Sequence, residues 1–91
     1  MPTVHLIIRG KVQGVFYRAT AKEVADEMEL TGWVKNTIEG NVEMVVTGSS
    51  GQLQKFIQWC KMGPANAIVT DVVVNDIKEE SFQSFQIIRK S

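Results

Sequence analysis

The chain is poor in the residues that cross-link, ligate metals or interrupt a domain. It has one cysteine, Cys60, among 91 residues, so no intrachain disulfide can form. It has one histidine, His5, and no cysteine near it in the sequence. A zinc or iron site needs three or four His, Cys or carboxylate ligands, so no metal is expected, and no cofactor motif is present. Charge is balanced: ten Lys and Arg against ten Asp and Glu give a formal net charge of zero. The broad basic footprint of a nucleic-acid-binding domain is therefore absent. No apolar run approaches the roughly 18 residues of a membrane span. The opening Met-Pro-Thr-Val-His lacks the charged and then apolar stretches of a signal peptide. Nor is there a linker, a repeat or a low-complexity tract. These absences lead to the expectation of a cytoplasmic monomer with neither membrane nor nucleic acid as partner.

The rest of the composition is that of an ordinary soluble domain, 44% hydrophobic and 22% charged. The length suits one domain over residues 1–91. A chain of this size buries about 60–70% of its unfolded surface, enough for a single core. Residues 3–9 alternate, with Val4, Leu6 and Ile8 on one face, and read as a strand. Residues 10–16 form a turn-rich loop between glycines. A helix is expected from Tyr17 to about Leu30, with Ala21, Val24, Ala25 and Met28 at i, i+3, i+4 and i+7. Gly32 stands where a left-handed helix cap is wanted. Residues 32–38 and 41–47 read as strands joined through Glu39-Gly40. Ser49 or Ser50 can cap a second helix, whose stripe is Leu53, Phe56, Ile57 and Cys60 and whose stop is Gly63-Pro64. Residues 67–74 are a strand rich in β-branched residues, and 83–89 a last short one.

The order is βαββαβ plus a short final strand. Two amphipathic helices need one sheet face to bury their stripes, which gives an α+β two-layer sandwich of ferredoxin-like type, the helices on one face of a mainly antiparallel sheet. Many unrelated functions use that architecture. An RNA-recognition domain has the same order but needs aromatic residues on its central strands. The strands 3–9 and 41–47 carry none. A small-molecule regulatory module leaves little trace beyond the fold, so a site must decide.

The informative segment is Gly10-Lys11-Val12-Gln13-Gly14-Val15-Phe16-Tyr17-Arg18, between a strand and a helix start. Amides at a helix N-terminus are unpaired and carry the positive end of its dipole, so a phosphate fits there. Gly14 permits a tight turn and close approach of an anion. The Arg18 guanidinium can bond two phosphate oxygens together. The same residues also suit a plain connecting loop with a solvated arginine. Neither the Gly-x-x-x-x-Gly-Lys-Ser/Thr pattern nor the Gly-x-Gly-x-x-Gly pattern is met. A cysteine phosphatase would need Cys six residues before the arginine, where Val12 stands. Cys60 reads as a small buried hydrophobe. If phosphate binds, water is the nucleophile.

Asn36 shares a strand face with Val34 and Ile38, opposite Trp33, Lys35 and Thr37. Its amide can fix the direction of a water; equally, Asn favours turns and can simply end the strand. Glu43 reads as a solvated edge residue, Lys11 and Lys35 as tuning charges, and Trp33 and Trp59 as packing residues.

The run Gly10–Arg18 resembles the first signature of acylphosphatases. Gly32-Trp-Val-Lys-Asn-Thr37, with Gly40 and Val42-Glu43, resembles the second. Phe56-Ile-Gln-Trp59, Gly63-Pro64, Ala67-x-Val69 and Phe85-x-Ile87 follow the same family, so the resemblance spans nearly the whole chain. It departs at Ala65-Asn66-Ala67-Ile68, where the family often has a proline or small residue and then a basic one. The resemblance implies metal-free hydrolysis of a small-molecule acyl phosphate to carboxylate and phosphate. It also implies that Arg18 binds phosphate, that the amides of Gly14, Val15, Phe16, Tyr17 and Arg18 form a cradle, and that Asn36 orients water with Thr37 in support. The alternative left open is a non-catalytic phosphate-binding regulatory module on the same fold.

Overall fold

Val4, Leu6 and Ile8 are all buried, as alternation requires of a strand with one core face. In the computed structural model, which describes residues 1–89, they lie on β1 (Thr3–Lys11). The chain continues through α1 (Tyr17–Glu27), β2 (Thr31–Asn36), β3 (Val42–Thr47), α2 (Ser50–Met62), β4 (Ile68–Ile77) and β5 (Phe85–Ile88). The sheet order is β4-β1-β3-β2-β5; β5 pairs parallel with β2 and every other pair is antiparallel. The two-layer α+β arrangement expected from the sequence is the one observed. β1 runs on to Lys11 through an irregularity at Arg9/Gly10, so two residues assigned to the loop belong to the strand.

α1 buries Ala21 and Ala25, with Val24 and Met28 packed beside the core. It stops earlier than its apolar stripe suggests. The Glu29 amide bonds to Asp26 O and the Leu30 amide to Ala25 O, while Glu29 adopts a left-handed φ of 57°. This is a Schellman end in which Glu29 takes the place usually given to glycine. Gly32 is therefore not the cap. It lies inside β2, paired with Val46 and Phe85, at φ 137°, and a Cβ there would come within 1.9 Å of Val45 O.

α2 is capped by Ser49, whose Oγ accepts from the Gln52 amide at 3.3 Å, and it buries Leu53, Phe56 and Cys60. Phe56 meets Phe85 edge-on at 6.2 Å between ring centroids, joining the helix layer to the sheet. Each such fully buried large side chain contributes about 1.5–3 kcal/mol from surface removed from water. Glu43 is not on an edge. It lies on β3, the central strand, facing away from the helices, where it bonds His5 Nε2 at 2.7 Å and stands 3.7 Å from Lys35 Nζ. His5 is thus satisfied within the sheet. Lys35 also lies over the Trp33 ring at 5.5 Å.

Candidate active site

Topology decides where the polar residues meet. β1 and β2 both run antiparallel to β3, so they are parallel to each other, and β5 is parallel to β2. Their C-terminal ends all arrive at one edge of the sheet. The loop after β1, the residues Asn36 to Ile38 after β2, and Ile87 to Arg89 at the end of β5 are gathered there. In register, Ile8, Val42 and Asn36 form one row across the sheet. Ile8 and Val42 point into the core, so Asn36 points to the helix side as well, toward the start of α1.

The result is a cavity of about 300 Å³ bounded by Gly14, Phe16, Arg18, Asn36, Ile87 and Arg89 among others. A second, adjoining hollow shares Arg18, Asn36 and Arg89 and adds Thr37, Ile38 and Ile88. The two signature segments, eighteen residues apart at Arg18 and Asn36, thus face one space. Tyr17 also borders the cavity. Val15 does not; its side chain is 7% exposed and belongs to the core. Lys11 and Lys35 do not line the cavity either.

The loop is built to leave donors free. Gly14 turns at φ 74° and Phe16 at φ 64°. Phe16 is the N-cap of α1, with no side-chain cap bond, and its carbonyl accepts from the amide and hydroxyl of Thr20. No acidic residue occupies the first turn. Among the described residues, the amides of Gly14, Val15 and Phe16 donate to no other backbone group. The first-turn amides of α1 have no intrahelical partner in any case. A left-handed phenylalanine costs roughly 1–2 kcal/mol.

Three further features shape the site. Among the described residues no carboxylate pairs with Arg18, which is half-buried. Among the described residues, Asn36 Oδ1 is buried and has no hydrogen-bond partner. Buried acceptors are ordinarily paired, so this oxygen can take a donor from a ligand or a water. Among the described residues, no three His, Cys, Asp or Glu side chains gather as metal ligands.

Anchoring comes from residues whose part was not evident in the sequence. Gln13 Nε2 donates to Thr37 O and to Asn41 O, each at 2.8 Å, and so ties the loop to the turn that follows Asn36. The Tyr17 hydroxyl donates to Cys60 O at 2.8 Å, and its ring packs on Trp59 at 5.3 Å, fixing the first residue of α1 to α2. Burial raises the Tyr17 phenol above its ordinary pKa and pushes the Cys60 thiol up to about 12. Cys60 is wholly buried and protonated at neutral pH, so it is no nucleophile. Arg89 gives the cavity a second guanidinium. Only the parallel pairing of β5 brings it there, and no local pattern signals that pairing.

The chain is similar to known proteins in both sequence and structure. A family model described as acylphosphatase matches residues 4–87. An acylphosphatase of Methylococcus capsulatus is 40% identical over 90 residues, covering 98% of both chains. The crystal structure of acylphosphatase from Bacillus subtilis superposes with a TM-score of 0.94 at 36% identity, covering 97% of this chain and 99% of that one. The acylphosphatase structure from Coxiella burnetii gives a TM-score of 0.93 at 37% identity, covering 96% and 92%.

Proposed function

The chain belongs to the acylphosphatase family and hydrolyses acyl phosphates; from that premise we propose that Arg18 and the amides of residues 14–18 hold the phosphate while Asn36 aims the attacking water. The water oxygen bonds to phosphorus. The bond from phosphorus to the acyl oxygen breaks, and its electron pair leaves on the carboxylate. The protons of the water pass to phosphate and solvent. A carboxylate is a good leaving group, so positioning and charge stabilisation supply most of the acceleration. Arg18 and the amides stabilise charge on the transferring group. The side-chain amide of Asn36 is a poor base but a good template, accepting an O–H at Oδ1 and thereby setting the line of attack. Thr37 supports the strand end, and Arg89 adds positive potential that draws in the anion. The enzyme is proposed to act without metal or cofactor, as a cytoplasmic monomer.

The observation that supports this reading is that Arg18, Asn36 and the residues Gly14, Phe16 and Tyr17 of the loop and first turn of α1 border one cavity. The test is hydrolysis of benzoyl phosphate in EDTA, repeated in ¹⁸O-water. Wild-type protein is expected to hydrolyse it and to place the label in phosphate. Arg18→Ala should lose most activity and most inhibition by phosphate. Asn36→Ala should lower kcat far more than it raises KM, the signature of an interaction made in the transition state. Label in the carboxylate, or near-normal kcat in Asn36→Ala, overturns the assigned mechanism.

A further inference from the structure

Two of the most exposed large apolar side chains stand at the mouth of this site. Phe16 is 78% exposed and borders the cavity; Ile38 is 94% exposed and borders the adjoining hollow. They come from different segments, one from the loop before α1 and one from the turn after β2. Arg18 and Asn36 are common to both hollows. Ile87 and Ile88 extend the apolar surface along the end of β5.

Neither side chain is explained by the fold. Phe16 gains little packing at that exposure and holds a left-handed backbone that glycine would adopt without strain. The N-cap position itself favours Ser, Thr, Asp, Asn or Gly. Ile38 is β-branched in a turn, where polar residues are preferred. What the loop needs from residue 16 is its amide and its φ, which glycine also supplies. The ring is additional, and it stands beside the place where the phosphate sits.

Resting on the hydrolase reading above, we propose that Phe16 and Ile38 form the acyl-binding wall of the site and select acyl phosphates with an apolar, preferably aromatic or branched, acyl group. An acyl phosphate is anionic at one end only. With its phosphate in the cradle, the acyl chain must leave through the mouth, where these two side chains wait. A flat aromatic acyl group covers apolar surface on both. Acetyl offers only a single methyl group to this surface. An acyl group with its own negative charge gains nothing from this wall.

The test compares kcat/KM for benzoyl phosphate, acetyl phosphate and succinyl phosphate in wild type, Phe16→Gly and Ile38→Ala. Wild type is expected to prefer the benzoyl substrate over both others. The benzoyl-to-acetyl ratio should fall roughly tenfold in Phe16→Gly and severalfold in Ile38→Ala, the range seen when an apolar pocket loses part of its surface. Phe16→Gly keeps the loop amide and relieves the left-handed strain, so the fold is retained; circular dichroism and thermal melting verify it. A ratio within twofold of wild type in both variants overturns the acyl wall while leaving hydrolysis intact. A wild-type preference for succinyl phosphate overturns it in favour of a charge-selected substrate. A folded wild type that hydrolyses none of the three overturns the wall and the hydrolase reading together.

Discussion

Gln13 offers the sharpest test of how the site is held together. Its side-chain NH₂ has two hydrogens, and both are used, one on Thr37 O and one on Asn41 O. Replacing it with alanine removes both bonds. The two carbonyls are not orphaned, because Thr37 O still accepts from the Gly40 amide at 3.2 Å and Asn41 O from the Thr37 amide at 2.9 Å. The loss is then the net value of two bonds, about 2 kcal/mol, without a desolvation penalty. In a domain of this size that lowers Tm by roughly 8–16 °C. Gln13→Glu keeps the shape but turns a donor toward two carbonyls into an acceptor, so it should be less stable than Gln13→Ala despite being the closer isostere. Lowering the pH to about 4 should recover part of that extra loss, since a protonated carboxyl donates again. In both variants kcat should fall more than KM rises, because the loosened turn begins one residue after Asn36. Urea or thermal unfolding at pH 7 and at low pH, with steady-state kinetics on benzoyl phosphate, measures all of this. A Gln13→Glu protein as stable as wild type would refute the donor assignment. A Gln13→Ala protein with unchanged stability and kcat would refute the claim that this tie positions the site.

Two predictions concern glycine and pH. Gly32→Ala should cost about 3 kcal/mol or more, since its Cβ would strike the Val45 carbonyl and φ is 137°. By contrast Gly51→Ala, in the first turn of α2 with open space around it, should stabilise by up to about 1 kcal/mol; chemical unfolding of the two variants checks the opposite signs. Stability should also decline as pH rises from about 8.5 toward 12, because the unfolded chain releases the Cys60 proton there while the folded chain keeps it. The contribution is roughly 1 kcal/mol per pH unit, and Cys60→Ala should flatten the profile between about pH 8.5 and 10, below the range in which the unfolded Tyr17 phenol ionises, while leaving hydrolysis in place, as unfolding curves would show.

The strands and helices were legible because their apolar residues repeat with periods the backbone imposes. Val4, Leu6 and Ile8, or Leu53, Phe56 and Cys60, can be buried together in only one kind of element. Glycine was less readable. Gly32 follows a helix at the spacing of a cap, but Glu29 closes that helix with two backbone bonds, and Gly32 is needed by the sheet, where the neighbouring strand leaves no room for a Cβ. Glu43 looked like an edge residue because strand order is not written in local pattern; β3 becomes central only through pairing with β1 on one side and β2 on the other.

The same limit separates the two halves of the site. Arg18 and Asn36 stood out because each sits in a segment with its own signature. The parts of Gln13, Ile87 and Arg89 could not be read, although Gln13 and Ile87 lie in segments that match the family, because those parts depend on how the ends of separate strands come together. That convergence also explains how a chain of 91 residues supports a costly site. The left-handed Phe16 opposes folding by roughly 1–2 kcal/mol, a sizeable part of the stability of a small domain. Phe16 and Asn36 lie at a helix and a strand terminus, and each is tied to the core by a neighbour. Tyr17 anchors the loop's end to α2, and Gln13 anchors its middle to the turn after Asn36. The core therefore need not deform to hold the site, and the strain stays in the few residues that border the cavity.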